Sequence, residues 1–294
     1  MLQPSPQGPS FTIGGRPLAP GLYLVATPIG AARDITLRAL DILATADVLA
    51  AEDTRTLRHL MEIHGIPLGD RPLVAVHDHN EAAASPRLVR AMSEGKSVAY
   101  ASEAGTPMVS DPGFPLARAC IAAGLPVIAA PGPSAALCAL TVSGLPSDRF
   151  LFAGFAPAAA GARRTFLDGL RDVGATLILY ESPKRINQLL KDLSQSFGEM
   201  RQTAVCRELT KRFEEVTRGT LAEVSAAYAG RDVKGEIVVL VDRAADVQAD
   251  QGDWEEALDR ALDQMSVKDA ATMVAEAFKL PRRDVYQVAL KRGK

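Results

Sequence analysis

Short apolar runs alternate with amphipathic stretches through the first half of the chain. GLYLVAT (21–27) reads as a buried strand. DITLRALDILATA (34–46) reads as a helix, with Ile35, Ala39, Ile42, Leu43 and Ala46 on one face and Asp34 as its cap. ADVLAAE (46–52) predicts a second strand, and TRTLRHLMEIHG (54–65) a helix closed by Gly65. PLVAVHD (72–78) predicts a third strand; the helical stretch after it, 81–95, is expected to be interrupted near Pro86. SVAYAS (97–102), PLARACIAAG (115–124) and LPVIAAPG (125–132) continue the series as strand, helix and strand. Strands alternating with helices imply a parallel sheet covered on both faces.

GLPSDRF (144–150) breaks and restarts the pattern. Five further strands are expected in RFLFAGF, TLILYES, TAVCREL, EEVTRGT and EIVVLVD, with helices around 162–173 and 184–197. The last three strands have short connections, which predicts a mixed sheet with antiparallel pairs. In the tail, Trp254, Leu258, Ala261, Leu262 and Met265 form a helical stripe, and Ser266 to Asp269 reads as a capping box opening another helix. KLPRR then breaks that helix before DVYQVALKRGK. The fold class expected is α/β in two parts, with a small helical C-terminal extension. The boundaries expected are an arm over 1–20, a parallel-sheet domain over 21–145, a mixed-sheet domain over 146–244 and helices over 245–294.

Composition adds limits. The first twenty residues are rich in Pro, Gly and Ser without an apolar core, which reads as a disordered arm rather than a signal peptide. A net charge of −2 gives no global basic field, so a nucleic-acid partner would need a local patch. Cys120, Cys138 and Cys206 lie far apart without a CxxC, which fits buried thiols in a reducing cytoplasm.

The unusual residues gather in loops that follow strands. In an open α/β sheet, that edge is where ligands bind. ATPIGAARD (26–34) suits a backbone cradle at a helix start, though it is not the GxGxxG of a dinucleotide site. AEDTRTLR (51–58) sets Glu52 and Asp53 at a strand end before Arg55 and Arg58. VHDHNE (76–81) holds two histidines, but no third metal ligand accompanies them, so it reads as a substrate-binding or helix-starting loop and no metal is expected. ASEAGTPMVSDPG (101–113) has more Gly, Pro and acidic residues than a turn requires: Gly105 permits close backbone approach and Pro107 stiffens the loop. PGPSAAL (131–137) places Ser134 where it can cap a helix and face a ligand. In the second half Glu181, Arg207, Glu208 and Glu236 stand at the borders of apolar runs, which suggests the other wall of a cleft between domains.

Nine segments in order, ATPIGAARDIT, AEDTR, HDHNE, SEAGTPMVSDPG, PGPSA, GLPSDRF, YESPKR, RELTKRFEEVTRGT and KGE, resemble the ribosomal RNA small subunit methyltransferase I family. That family lies within the tetrapyrrole-methylase-like (class III) S-adenosylmethionine (SAM) enzymes. The resemblance implies a two-domain α/β fold, a homodimer in the cytoplasm, SAM as cofactor in the interdomain cleft, and 2′-O-methylation of a cytidine in the decoding region of 16S rRNA within the small ribosomal subunit. Carried onto this chain, it implies SAM contacts at Ser102, Glu103, Ala104, Gly105, Thr106, Pro107, Ser134, Ala135, Tyr180, Glu181, Arg207, Glu208, Gly235 and Glu236. Three positions depart from the family pattern: Glu103 stands where the family has Asp, Ala26 where it has Pro, and Ala31 where it has Asn.

Ribose methylation needs a proton acceptor, and Asp53, Glu52 and Asp34 are the candidates, with His79 behind them. RNA needs local positive charge, for which Arg33, Arg55, Arg58 and the tail residues Arg282, Arg283, Lys291 and Arg292 are the choices, with His79 beside them. Two other readings stay open at this point: a tetrapyrrole methylase, and a ribosome-assembly binder that holds SAM without turnover.

Overall fold

The computed structural model describes residues 13–77, 79–244, 251–278 and 280–292. It divides into two compact units, Met1–Arg243 and Ala244–Lys294. In the first unit, strands β1 (Gly21–Val25), β2 (Val48–Ala51), β3 (Leu73–Ala75), β4 (Ser97–Ala101) and β5 (Val127–Ala130) form a sheet in the order β3-β2-β4-β1-β5. Every pairing in it is parallel. Helices α1 (Leu37–Thr45) and α2 (Thr54–Ile63) cover one face, where Leu43, Leu57 and Met61 pack on Val25, Leu49 and Ala99. Helices α3 (Glu81–Ser93) and α4 (Phe114–Ala122) cover the other, where Leu88, Met92 and Leu116 pack on Leu22, Val98 and Tyr100. Burial on both faces explains why these strands read as unbroken apolar runs rather than alternating ones.

Helix α5 (Ala135–Ser143) follows β5 but packs on a second sheet, putting Ala136, Ala139 and Leu140 against Ile178, Ala204 and Val238. That sheet comprises β6 (Phe150–Phe155), β7 (Thr176–Glu181), β8 (Gln202–Arg207), β9 (Glu215–Thr220) and β10 (Ile237–Val241), in the order β6-β7-β10-β8-β9. Only β6 and β7 run parallel; the other three pairings are antiparallel, as the short connections implied. Its opposite face is closed by α6 (Ala160–Asp168), α7 (Ile186–Phe197) and α8 (Leu221–Tyr228), through Leu167, Leu189, Leu193 and Val224.

Several local expectations need correction. Thr36, not Asp34, caps α1, because its hydroxyl accepts the Ala39 N–H while Asp34 lies exposed in the preceding turn. Helix α3 runs through Pro86 without interruption; a proline removes one backbone donor, and packing of Ala84, Leu88 and Met92 holds the helix together. Ser134 occupies the cap position of α5 but makes no side-chain capping bond. Helix α8 was not anticipated, although Thr220 and Glu223 form a full capping box at its start. Of the expected arm, residues 1–12 lie outside the described residues. Ile13 and Leu18 pack against the first sheet's core, and the Gly14 N–H donates to Asp41 at 3.0 Å.

The second unit holds α9 (Gln251–Leu262), α10 (Val267–Ala277) and α11 (Arg282–Arg292) around Trp254, Leu258, Val274, Val285 and Ala289. Ser266 caps α10 by accepting the Asp269 N–H. Arg292 ties α11 to α9 through Glu255 at 2.5 Å and Asp259 at 2.8 Å.

Candidate functional site

The loops after β1, β4 and β5 emerge side by side at the carboxyl edge of the first sheet. A cavity of about 640 Å³ opens there, and strand ends of the second sheet form its far wall. The volume falls within the range of small-molecule sites.

Its first wall is largely backbone. Thr27 and Gly105 exchange both N–H···O bonds, at 2.9 and 3.0 Å, and so join the β1 and β4 loops. The Thr27 hydroxyl donates to the Ser102 carbonyl, the Ser102 hydroxyl to Gly105 O at 2.7 Å, and Thr106 Oγ1 to Pro133 O at 2.8 Å. Gly105 has φ +80°, and a Cβ there would stand 3.2 Å from Ile29 Cγ2, so conformation and space both call for glycine. Met108 and Ser110 in the same loop adopt left-handed φ of 68° and 64°. Strain of this kind persists where surrounding structure over-determines it, and it gathers at ligand sites.

The opposite wall is built from charged side chains in pairs. Glu181, with its side chain 1% exposed, accepts the Ser182 N–H at 2.7 Å and pairs with Arg185 at 3.1 Å. Arg185 also donates to the Ala156 carbonyl. Lys211 spans Glu208 at 2.9 Å and Glu236 at 2.5 Å. Burial alone would lower the Lys211 pKa, but the two carboxylates outweigh it and raise it. Tyr180 is half-buried; loss of water pushes its phenol up, against a smaller opposing effect of a hydrogen bond from the Ala136 backbone. Cys206 lines the cavity floor with a thiol pushed up to about 12 by burial, so it is inert at neutral pH.

The two walls meet where Gly30 approaches the loop after β8. A Cβ on Gly30 would lie 2.6 Å from Thr210 Oγ1, and the Ala31 N–H donates to that hydroxyl at 3.1 Å. Backbone therefore makes the contact at the position where the family pattern has Asn. Glu208 and Thr210 carry positive φ of 52° and 63°, so this side also has a strained loop facing the cavity.

The cavity lining includes Glu103, Ala104, Gly105, Thr106, Ser134, Ala135, Tyr180, Glu181, Gly235 and Glu236. Ser102 and Pro107 are buried behind it as loop supports. Arg207 and Glu208 do other work. Arg207 pairs with Glu215 and donates to the Phe213 carbonyl; Glu208 accepts Lys211 and the Glu236 N–H, locking two loops together. Sequence reasoning missed Asp111, Ser110, Phe155, Ser182, Leu209 and Lys211 as lining residues. Lys211 could have been found, since it follows the Arg-Glu-Leu-Thr stretch already singled out. Four carboxylates, Glu103, Asp111, Glu181 and Glu236, against one lysine make the lining acidic, which suits a cationic ligand.

Asp53 lies beside the cavity rather than in it; Thr56, on the first turn of α2, is the lining residue. Asp53 caps α2 by accepting the Arg55 N–H at 2.8 Å, and its carboxylate also receives the Arg55 guanidinium at 2.7 Å. Those bonds lower its pKa to about 2. Glu52 is half-buried next to it, and Asp34 is exposed. Arg33, Arg55, Arg58 and His79 are exposed on the first unit, and Arg282, Arg283 and Lys291 on α11. Arg292 is already engaged by two acids of its own unit. Among the described residues, no helix is long and apolar enough to cross a membrane.

Comparison with known proteins gives two family matches. The model for Tetrapyrrole (Corrin/Porphyrin) Methylases matches residues 21–225, and that for the RsmI C-terminal HTH domain matches residues 248–293. A ribosomal RNA small subunit methyltransferase I from Mesorhizobium japonicum is 52% identical over 81% of this chain and 80% of its own length. Its counterpart from Xylella fastidiosa (strain Temecula1) is 45% identical over 90% of this chain and 97% of its own length. Among solved structures, uroporphyrin-III C-methyl transferase from Thermus thermophilus, complexed with S-adenyl homocysteine, has a TM-score of 0.50 at 22% identity. It covers 75% of this chain and 96% of its own. At that identity the likeness concerns the fold alone.

Proposed function

We propose, on the premise that the chain belongs to the tetrapyrrole (corrin/porphyrin) methylase family and within it to the ribosomal RNA small subunit methyltransferases I, that it transfers a methyl group from SAM to the 2′-hydroxyl of a cytidine in 16S rRNA. The observation that carries this reading is the acidic cavity with a backbone wall at Gly105 and a carboxylate wall at Glu181 and Glu236. The residues fit the donor: a cation of this size meets paired carboxylates on one side and close-approaching backbone on the other. Bound there, SAM supplies an electrophilic methyl group on a positively charged sulfur.

The chain's own part is to position, to exclude water and to accept a proton. The loop over 102–107 and the start of α5 would hold the donor with Ser134, Ala135 and Tyr180, while Glu181 and Glu236 would offset positive charge. The ribose oxygen must be held in line, at roughly 3–3.5 Å from the carbon it attacks. Its proton would pass to a carboxylate: Asp53 first, Glu52 behind it at the end of β2, and Asp34 in the turn before α1 third. Asp53 can serve once Arg55, which is 90% exposed, turns from it toward an RNA phosphate.

RNA would be gripped by Arg33, Arg55, Arg58 and His79 on the first unit and by Arg282, Arg283 and Lys291 on the C-terminal helices. The match of those helices to a helix-turn-helix family of rRNA enzymes supports this reading over a tetrapyrrole substrate. A homodimer working in the cytoplasm completes the proposal: Phe114 and Ile121, seven residues apart on α4, leave an apolar stripe exposed. Radiolabelled transfer onto unmodified small ribosomal subunits, with the product mapped to ribose or base, tests the function. Label on a cytidine ribose supports it, and absence of transfer overturns it. Sedimentation tests the dimer.

A further inference from the structure

Phe155 poses a problem that the donor site does not absorb. It is a large apolar residue, 54% exposed, at the edge of an acidic cavity. Its position follows from an irregularity in the ladder between β6 and β7. Phe152 is paired with Ile178, but Gly154, not Ala153, is paired with Leu179, so Ala153 is an extra residue. In an unbroken parallel ladder Phe155 would stand opposite Glu181, three positions from Phe152, on the face where Leu179 packs against α7. The bulge shifts it opposite Tyr180. Phe152 and Phe155 thereby reach the same face, and both rings meet Tyr180 edge-on, at centroid distances of 4.8 and 5.7 Å. Gly154 makes this possible with φ +69°. A single extra residue flips the side chains beyond it to the other face, and bulges beside sites commonly re-aim a side chain.

The consequence is an aromatic surface on the cavity edge whose outer part faces solvent. Phe155 belongs to neither core cluster of the second sheet, and its ring contact is with Tyr180. Tyr180 behind it holds the ring from one side and leaves the rest open. An aromatic face fixed in this way suits a flat π-system arriving from outside, and a nucleobase drawn out of its stack is such a group.

Resting on the rRNA ribose-methylation reading above, we propose that Phe155, re-aimed by the bulge at Ala153, is an acceptor-binding residue on which the base of the target nucleotide stacks. Stacking holds the base by its face and leaves the ribose free to point inward. The adenine of the donor offers the same chemistry, and the separate measurement of donor affinity distinguishes the two.

The test uses the full-length protein, unmodified small ribosomal subunits and radiolabelled SAM, with donor affinity measured separately by calorimetry. Phe155→Ala is expected to lower kcat/KM for subunits about 5- to 150-fold, the range that loss of one base stack produces, while donor affinity and melting temperature hold. Phe155→Leu is expected to fall with it, because it restores volume without a π-face, and Phe155→Trp is expected to retain activity. Unchanged kcat/KM in Phe155→Ala overturns the inference, as does full activity in Phe155→Leu. A loss mirrored in donor affinity assigns the stack to adenine instead, and a loss accompanied by a changed sedimentation coefficient makes Phe155 an interface residue; either result overturns it. If the wild-type protein modifies the ribose while the variants match it, this inference alone fails. Absence of transfer by the wild type removes both.

Discussion

The two walls of the cavity are made of different material. On the first sheet the wall is backbone: Thr27 and Gly105 bond to each other, and hydroxyls of Ser102 and Thr106 hold carbonyls in place. On the second sheet it is paired charge, from Arg185 with Glu181 to Lys211 between Glu208 and Glu236. A parallel sheet delivers all its strand-to-helix loops to one edge, so close backbone approach comes with the topology. A mostly antiparallel sheet sends successive strand ends to opposite edges. There, side chains that reach across from β7, β8 and the start of β10 must supply the wall. On the proposed reading the backbone wall would give the site its shape and the charged wall its electrostatic selection.

The sharpest test of that division concerns chemistry. Asp53→Asn is expected to lower the single-turnover rate by about 10²–10⁴-fold, the usual worth of a positioned proton acceptor, with donor affinity intact. A wild-type rate would move the chemistry away from the edge of the first sheet. Next comes shape. Gly105→Val forces a β-branched residue to φ +80° with Cβ 3.2 Å from Ile29. The strain, of order 1–3 kcal/mol, is expected to appear in calorimetry as a large loss of donor affinity. Glu181→Gln probes the charged wall: the shape and the Ser182 contact can survive while the charge goes. Donor affinity should drop about tenfold, the lower end for a hydrogen bond to a charged group, and undiminished affinity would show that charge on this wall is dispensable.

The smallest effect concerns stability. Glu215 receives Arg231 at 2.9 Å and Arg207 at 3.0 Å, and its pKa falls to about 2 from the ordinary 4.5 of a glutamate, with the Arg231 bond as the leading cause. A carboxylate depressed in the folded state stabilises above its unfolded pKa, and that stabilisation fades as pH falls toward the folded value. Glu215→Gln is therefore expected to cost about 1 kcal/mol or less at pH 7, with the difference from wild type narrowing between pH 4.5 and about 2. Urea melts at several pH values check this, and a gap that persisted at the acid end would contradict it.

Much of this architecture was legible beforehand. Nine of the ten strands coincide with apolar runs, the exception being β9 (EVTRGT), and the short connections of the last three carried the change from a parallel to a mixed sheet. Ten of the fourteen residues carried over as donor contacts line one cavity, because nearly all sit at strand ends where topology gathers them. Arg207 and Glu208 illustrate the limit. Both are charged and both end a strand, yet one faces Glu215 and the other clamps Lys211 to the Glu236 backbone. The order of residues along a strand does not say which of them finds an ion-pair partner contributed by another loop. The capping box at Thr220 is visible in the sequence, but β9 runs straight into α8, so no loop residues mark the boundary.

By itself the sequence determined the series of elements, the two sheet types and the loops rich in Gly, Pro and acid, since these follow from local periodicity and backbone preference. Only the tertiary structure decided how distant charges paired, Arg207 with Glu215 and Lys211 with Glu236, and that one extra residue in β6 turns Phe155 toward the cavity. Those outcomes depend on the register and packing of segments far apart in the chain, and neither is encoded within any one of them.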